Sequence, residues 1–218
     1  MAVTMEMIKE LRERTGAGVV DCKKVLSEMD GDINKAVEEL QKRGIAKAAK
    51  KAARIAAEGT IGSYVHAGGS IAVLVEVNCE TDFVARGEDF GQFCEDVAMQ
   101  IAAMNPLYVQ ADEISDDDLK KQEEIFTAQV LEEGKPEKIV PKIVQGKIAK
   151  WKKENCLVDQ PFVKNDEVTI GELVTQLTAK TGEKISLRRF VRFEVGEGLE
   201  KRENDLAAEV AEMQGASS

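Results

Sequence analysis

Apolar positions along this chain alternate between a helical and a strand period, and the switches divide it into elements. From Thr4 to Gly44 the spacing is that of helices with one buried face. Thr4 caps a first helix carrying Met7, Ile8 and Leu11, which Gly16 stops. After the tight Thr15-Gly16-Ala17-Gly18 loop, Asp21 to Met29 sets Cys22, Val25, Leu26 and Met29 on one face, and Asp30-Gly31 ends it. Asp32 caps a third helix with Ile33, Ala36, Val37 and Leu40 inward and Gly44 as its expected end. At Gly59 the period becomes that of a strand. Thr60–His66 and Ser70–Asn78 flank Ala67-Gly68-Gly69, the signature of a glycine-turn hairpin.

The second hairpin strand leads into the stretch that matters most, Ile71 to Arg86. Its first half, with Ile71, Val73, Leu74, Val75 and Val77, is β-branched and apolar, hence a buried strand. Then Asn78, Glu80 and Asp82 surround Phe83 just before Gly87, at a strand end where chains usually turn through solvent. Phe83 reads two ways on this pattern: tucked under the next helix, or exposed as a probe.

Helices then resume. Asp89 is the expected cap of one with Phe90, Phe93, Val97, Ile101 and Met104 at core spacing, closed by Asn105-Pro106. Leu119, Ile125, Phe126 and Val130 mark a second; Ile139, Val140, Ile143, Val144, Ile148 and Trp151 mark a third. The turn Glu133-Gly134-Lys135-Pro136 between these two predicts an antiparallel helical hairpin with a thin apolar seam. The acidic run Asp116–Asp118 suits the positive end of a helix dipole and needs no ligand. After an extended Gln160–Val163, Thr169 and Glu172 form a capping box for a helix with Ile170, Leu173, Val174 and Leu177, ended by Gly182. Leu187–Val195 alternates as a strand, with Leu187, Arg189, Val191, Phe193 and Val195 expected on one side and Arg188, Phe190, Arg192 and Glu194 on the other. Leu199–Met213 reads as a last helix, and Gln214–Ser218 is expected to be a disordered tail.

These elements predict an α+β fold. Residues 1–44 form a three-helix module resembling a ubiquitin-associated domain, and 45–58 a basic linker helix. The α+β core spans 59–198: a three-stranded antiparallel sheet packed with helices, from which the helical hairpin at about 116–154 protrudes as an arm. Residues 199–218 complete the chain as a C-terminal helical module and tail.

Composition narrows the function. The net charge is -10, unevenly placed: residues 1–57 carry 12 basic and 9 acidic side chains, the rest 18 and 31. An acidic body argues against direct nucleic-acid binding, which needs basic surface. The exception is the stripe Arg43, Lys47, Lys50 and Arg54, which reads either as an RNA-binding face or as a linker steering toward an acidic partner. Lacking aromatics to stack on bases, it favours the linker. Four scattered cysteines without a C-x-x-C pair, and an N-terminus without signal-peptide features, predict a reduced, cytoplasmic protein with no membrane span. With His66 as its one histidine, the chain has almost no raw material for a metal site or a histidine triad. Phosphate-binding glycine loops and nucleophile elbows are absent. No metal, cofactor or catalytic residue is expected, and the protein should act by binding.

Three separated motifs carry a family resemblance. Leu11-Arg12-Glu13-Arg14-Thr15-Gly16-Ala17-Gly18 with Asp21-Cys22-Lys23-Lys24 resembles the N-terminal signature of bacterial elongation factor Ts; Glu76-Val77-Asn78-Cys79-Glu80-Thr81-Asp82-Phe83-Val84 resembles its second signature, and Arg192-Phe193-Glu194-Val195-Gly196-Glu197-Gly198 its closing segment. The resemblance implies guanine-nucleotide exchange on elongation factor Tu, the GTPase that delivers aminoacyl-tRNA to the ribosome. It implies that Thr81, Asp82, Phe83 and Val84 form the loop inserted against the nucleotide domain to dislodge Mg²⁺. By the same resemblance Val19, Val20 and Lys23 touch that domain, the hairpin around His66 contacts the partner, and the helix after Gly198 grips it from another side. Longer family members carry two copies of the sheet-and-helix core, whereas this chain has room for one. A homodimer in a 2:2 complex is one way to complete the contact. The readings from other classes are an RNA- or ribosome-binding protein using residues 43–54, and an adapter using residues 1–44.

Overall fold

The computed structural model describes residues 3–199; the helix expected after Leu199 and the tail lie outside the described residues. Three helices open the chain: α1 (Met5–Thr15), α2 (Val19–Glu28) and α3 (Ile33–Lys51). Thr4 and Asp32 cap α1 and α3 through side-chain bonds to Met7 and Lys35 N–H, and Gly16 closes α1 in the left-handed conformation. Ile8, Leu11, Cys22, Val25, Leu26 and Ala36 make their common core.

One expected boundary is wrong. Gly44 does not stop the third helix: α3 runs unbroken to Lys51, so residues 45–51 extend it and form no separate linker helix. A Cβ built at Gly44 would lie 3.5 Å from the Ala179 Cβ of α8 (Ile170–Thr181). The glycine marks a close helix crossing, and the Ala- and Lys-rich residues after it have ample helix propensity to carry the helix on.

A three-stranded antiparallel sheet is ordered β1 (Glu58–Val65), β2 (Ile71–Cys79) and β5 (Ser186–Glu194). The one-turn α4 (Asp82–Ala85) and the long α5 (Glu88–Met104) follow β2. Helix α5 packs Phe90, Phe93, Val97 and Ile101 against Val73, Val75 and Val77. Gly62 permits this approach, since a Cβ there would sit 2.8 Å from the Cys94 carbonyl oxygen. Gly87 is the N-cap of α5, not Asp89, whose carboxylate instead accepts from Lys180 Nζ at 2.6 Å. Met104, expected in the core, is exposed.

Helices α6 (Asp116–Glu132) and α7 (Val140–Asn155) pair around their own small core of Val130, Val140, Val144 and Ile148, while Ile125 and Ile139 face out. Tyr108 meets Trp151 edge-on at the root of this arm, ring centroids 6.2 Å apart. A short hairpin, β3 (Pro161–Phe162) with β4 (Asn165–Thr169), leads to α8, where the sequence pattern indicates only an extended connection. The Thr169/Glu172 capping box and the Gly182 stop stand as predicted. Two buried amides tie this region to α5: Gln100 Nε2 donates to Gln160 Oε1 (3.2 Å) and to the Pro161 carbonyl, and Gln100 Oε1 accepts from Val163 N–H.

Strand β5 corrects another expectation. Its alternation is interrupted where Val77 pairs with Leu187 but the preceding Glu76 pairs with Arg189, leaving Arg188 as an extra residue. Such a bulge reverses the side-chain phase. Leu187 and Phe190 therefore both pack inward, with Arg192 beside them, while Val191 and Phe193 face solvent.

Candidate functional site

The second signature lies where β2 leaves the sheet. Cys79 Sγ donates to the Thr81 carbonyl (3.1 Å), bending the chain outward. Thr81 then caps α4, its Oγ1 accepting from Val84 N–H at 3.4 Å. The anticipated loop is thus a single helical turn with distinct jobs for its residues. Val84 is half-buried against the main core and anchors the turn. Phe83, the residue before it, is 84% exposed. Asp82 pairs with Arg86 (2.8 Å) one turn along. Of the two readings left open for Phe83, the structure selects the exposed one, because Phe90, Phe93 and Val97 already fill the space under the sheet.

The other predicted contact residues are also at the surface. Val20 is 80% exposed on the first turn of α2, Val19 and Lys23 are exposed beside it, and His66 is exposed just past β1. His66 Nδ1 lies 3.2 Å from Tyr64 Oη. Thr60 Oγ1 donates to the Ala85 carbonyl (3.4 Å), holding α4 at the start of β1. His66 comes six strand residues later, roughly 20 Å away. Phe83 and His66 are therefore well separated on the surface. None of these residues lines the cleft of about 700 Å³ between the N-terminal helices and α5 and α8.

Three of the four residues of the basic stripe are paired within the chain: Arg43 is held by Glu28 and Glu39, Lys47 by Asp21 (2.9 Å) and Arg54 by Glu80 (3.3 Å). Lys51, beside the stripe, donates to the Gly182 carbonyl.

Sequence reasoning missed the support beneath α4. Glu183, in the turn between α8 and β5, accepts from Glu80 N–H, Thr81 N–H and Thr81 Oγ1. Glu80 in turn accepts from Lys184 N–H (2.6 Å) as well as Arg54. Those partners lie more than a hundred residues apart, so no local pattern could announce them.

The carboxylate of Glu76 lies between Arg188 (2.8 Å) and Arg189 (2.7 Å), which hold its pKa down to about 2 from an ordinary 4.5. Glu80 is lowered too, by the Lys184 backbone N–H and then by Arg54. For a depressed carboxylate the unfolded chain takes up the proton first as pH falls. The stabilisation is present at neutral pH and is lost as pH drops from about 4.5 through the folded value near 2. Replacing Glu76 by Gln should flatten this acid limb, which thermal melts between pH 6 and about 2.5 will read; an unchanged limb would show that Glu76 contributes nothing to it.

Among the described residues no group of His, Cys, Asp or Glu is arranged to hold a metal ion, and no helix is long and apolar enough to cross a membrane. The α+β core presents an exposed aromatic, Phe83, on a helical turn braced from both ends, and Val19, Val20, Lys23 and His66 are exposed elsewhere on the surface. The family model described as Elongation factor TS matches residues 2–197. Proteins named Elongation factor Ts from Desulforamulus reducens and Heliobacterium modesticaldum are each 58% identical, over 96% and 95% of this chain and 96% and 97% of their own lengths. That of Alkaliphilus metalliredigens is 58% identical over 98% of this chain and 99% of its own. The chain belongs to the elongation factor Ts family, translation-elongation factors that act by nucleotide exchange.

Proposed function

We propose that this protein is the guanine-nucleotide exchange factor of elongation factor Tu, and that α4 is the element it inserts. The observation that carries the reading is Phe83, a large aromatic held in water on a turn that Val84 and Ala85 anchor in the core. Left exposed, it gains nothing in the free protein; seated against the GTPase beside the nucleotide, it wedges apart the elements that support Mg²⁺ and phosphate. Asp82, already engaged with Arg86, exchanges that partner for polar groups of the same site. No catalytic group is required. Factor and nucleotide weaken each other's binding, and the coupling is reciprocal. Accelerating release ~10⁴-fold lowers the barrier by roughly 5.5 kcal/mol, whereas burying one Phe supplies about 1.5–3 kcal/mol. Val19, Val20, Lys23 and His66 therefore contribute binding energy that holds the distorted, Mg²⁺-free state. The test is release of fluorescent GDP from elongation factor Tu: added protein should accelerate it and form a complex that added GDP dissociates. No acceleration would overturn the reading.

The same reading includes a second copy of the chain. Ile61, Val65, Leu74, Val191 and Phe193 share the solvent face of the sheet, Phe193 at 66% exposure, and Arg188, Arg189 and Glu76 bring both signs of charge to one end of it. An apolar face with both charges at its margin suits a two-fold pairing with itself. Light scattering of the nucleotide-free complex should give a 2:2 mass, and Phe193→Glu should reduce it to 1:1. A 1:1 mass for the unaltered chain would remove the homodimer and leave the exchange reading standing.

A further inference from the structure

We propose that Glu183 is the positioning residue of the exchange element, a role that rests on the function proposed above. Three donors of the segment that launches α4 converge on its carboxylate. Glu80 N–H (3.1 Å) and Thr81 N–H (3.0 Å) both reach Oε2, and Thr81 Oγ1–H (2.7 Å) reaches Oε1. Bonds to an ionised acceptor are the stronger kind, and a carboxylate has lone pairs for all three.

The Thr81 bond also sets direction. By donating its proton to Glu183, the hydroxyl turns a lone pair toward Val84 N–H and so caps α4. A four-residue helix has too few internal bonds to hold its own shape. Its orientation, and with it the direction of Phe83, is imposed from outside by Glu183 at one end and by the packing of Val84 at the other.

The arrangement is reciprocal. Glu80 sends its N–H to Glu183 and receives the Lys184 N–H on its own carboxylate, while Lys184 Nζ donates to the Arg54 carbonyl (2.9 Å). The β2–α4 segment and the α8–β5 turn thus clasp each other, each supplying the carboxylate that the other's backbone needs. In this role Glu183 acts through Phe83, not on the nucleotide itself.

The experiment uses the full chain and two readouts. In GDP release from elongation factor Tu, Glu183→Ala should lower the rate at saturating factor about tenfold while half-saturation moves less than about twofold, and Glu183→Gln should recover part of the loss. Placed on Phe83→Ala, Glu183→Ala should add less than about twofold, because it acts through the side chain already removed. An unchanged plateau, or a full tenfold loss in the Phe83→Ala background, overturns the proposal. In the free protein, the Glu80 and Thr81 amides should exchange with solvent about tenfold faster in Glu183→Ala; unchanged protection overturns the positioning role whatever GDP release does. If these amides are freed but Phe83→Ala exchanges nucleotide at the unaltered rate, the exchange function of α4 falls and the clasp itself stands. Thr81→Val removes the hydroxyl arm without touching the α8–β5 turn. It should lower the plateau as well, and an unaltered plateau for it removes the capping argument even where Glu183→Ala folds poorly.

Discussion

Replacing Phe83 by Ala is expected to slow stimulated GDP release roughly 10- to 100-fold with almost no change in the stability of the protein. The range follows from the area the ring loses on binding. About 1.5–3 kcal/mol for a buried Phe converts to one to two decades at about 1.4 kcal/mol per decade. Stability is spared because the ring is 84% exposed in the free chain and supports nothing, and such surface changes usually stay within about 0.5 kcal/mol. Stopped-flow release of fluorescent GDP, alongside a thermal melt of each protein, separates the two quantities. An exchange rate equal to that of the unaltered chain would remove Phe83 from the mechanism, and a large fall in melting temperature would show that the ring is structural.

Seven positions on, Phe90→Ala is expected to do the reverse. Phe90 is 1% exposed on the first turn of α5, inside the cluster built from β2, α5 and α8. Removing it forfeits the transfer free energy of the ring and leaves a cavity that the sheet and helix cannot fully close, about 3–5 kcal/mol. In a chain of 218 residues that corresponds to a fall of roughly 6–20 °C in melting temperature. Urea titration should show the midpoint moving to lower denaturant with an unchanged slope. A loss below about 1 kcal/mol would mean that neighbouring side chains refill the site.

That two phenylalanines so close in sequence take opposite roles illustrates how far the pattern carries. Phe90 was legible because Phe93, Val97 and Ile101 repeat with it at helical spacing. Phe83 belongs to no repeat, so its residues left it undecided; the space beneath the sheet and the family signature resolved it. Val84, one residue on, anchors the turn, and nothing in the local sequence distinguishes an anchor from a probe. The supporting carboxylate of Glu183 had no signal at all, since its partners stand over a hundred positions away.

Signals that act within one turn or one hairpin proved sufficient for the caps at Thr4, Asp32 and Thr169, the stops at Gly16 and Gly182, and the glycine turn that joins β1 to β2. Each depends on backbone donors and acceptors a few residues apart, which sequence spacing specifies. Three features were settled by packing between distant segments. Gly44 is a crossing point and not a helix end because α8 lies against it. Strand β5 turns Phe193 outward because a bulge opposite Glu76 shifts its phase. And around α4, Glu183 bonds the segment that precedes the turn and Val84 packs on the core, while Phe83 stays in solvent. In each case the deciding contact joins residues that only the folded chain brings together, and its energy has no counterpart in the local code.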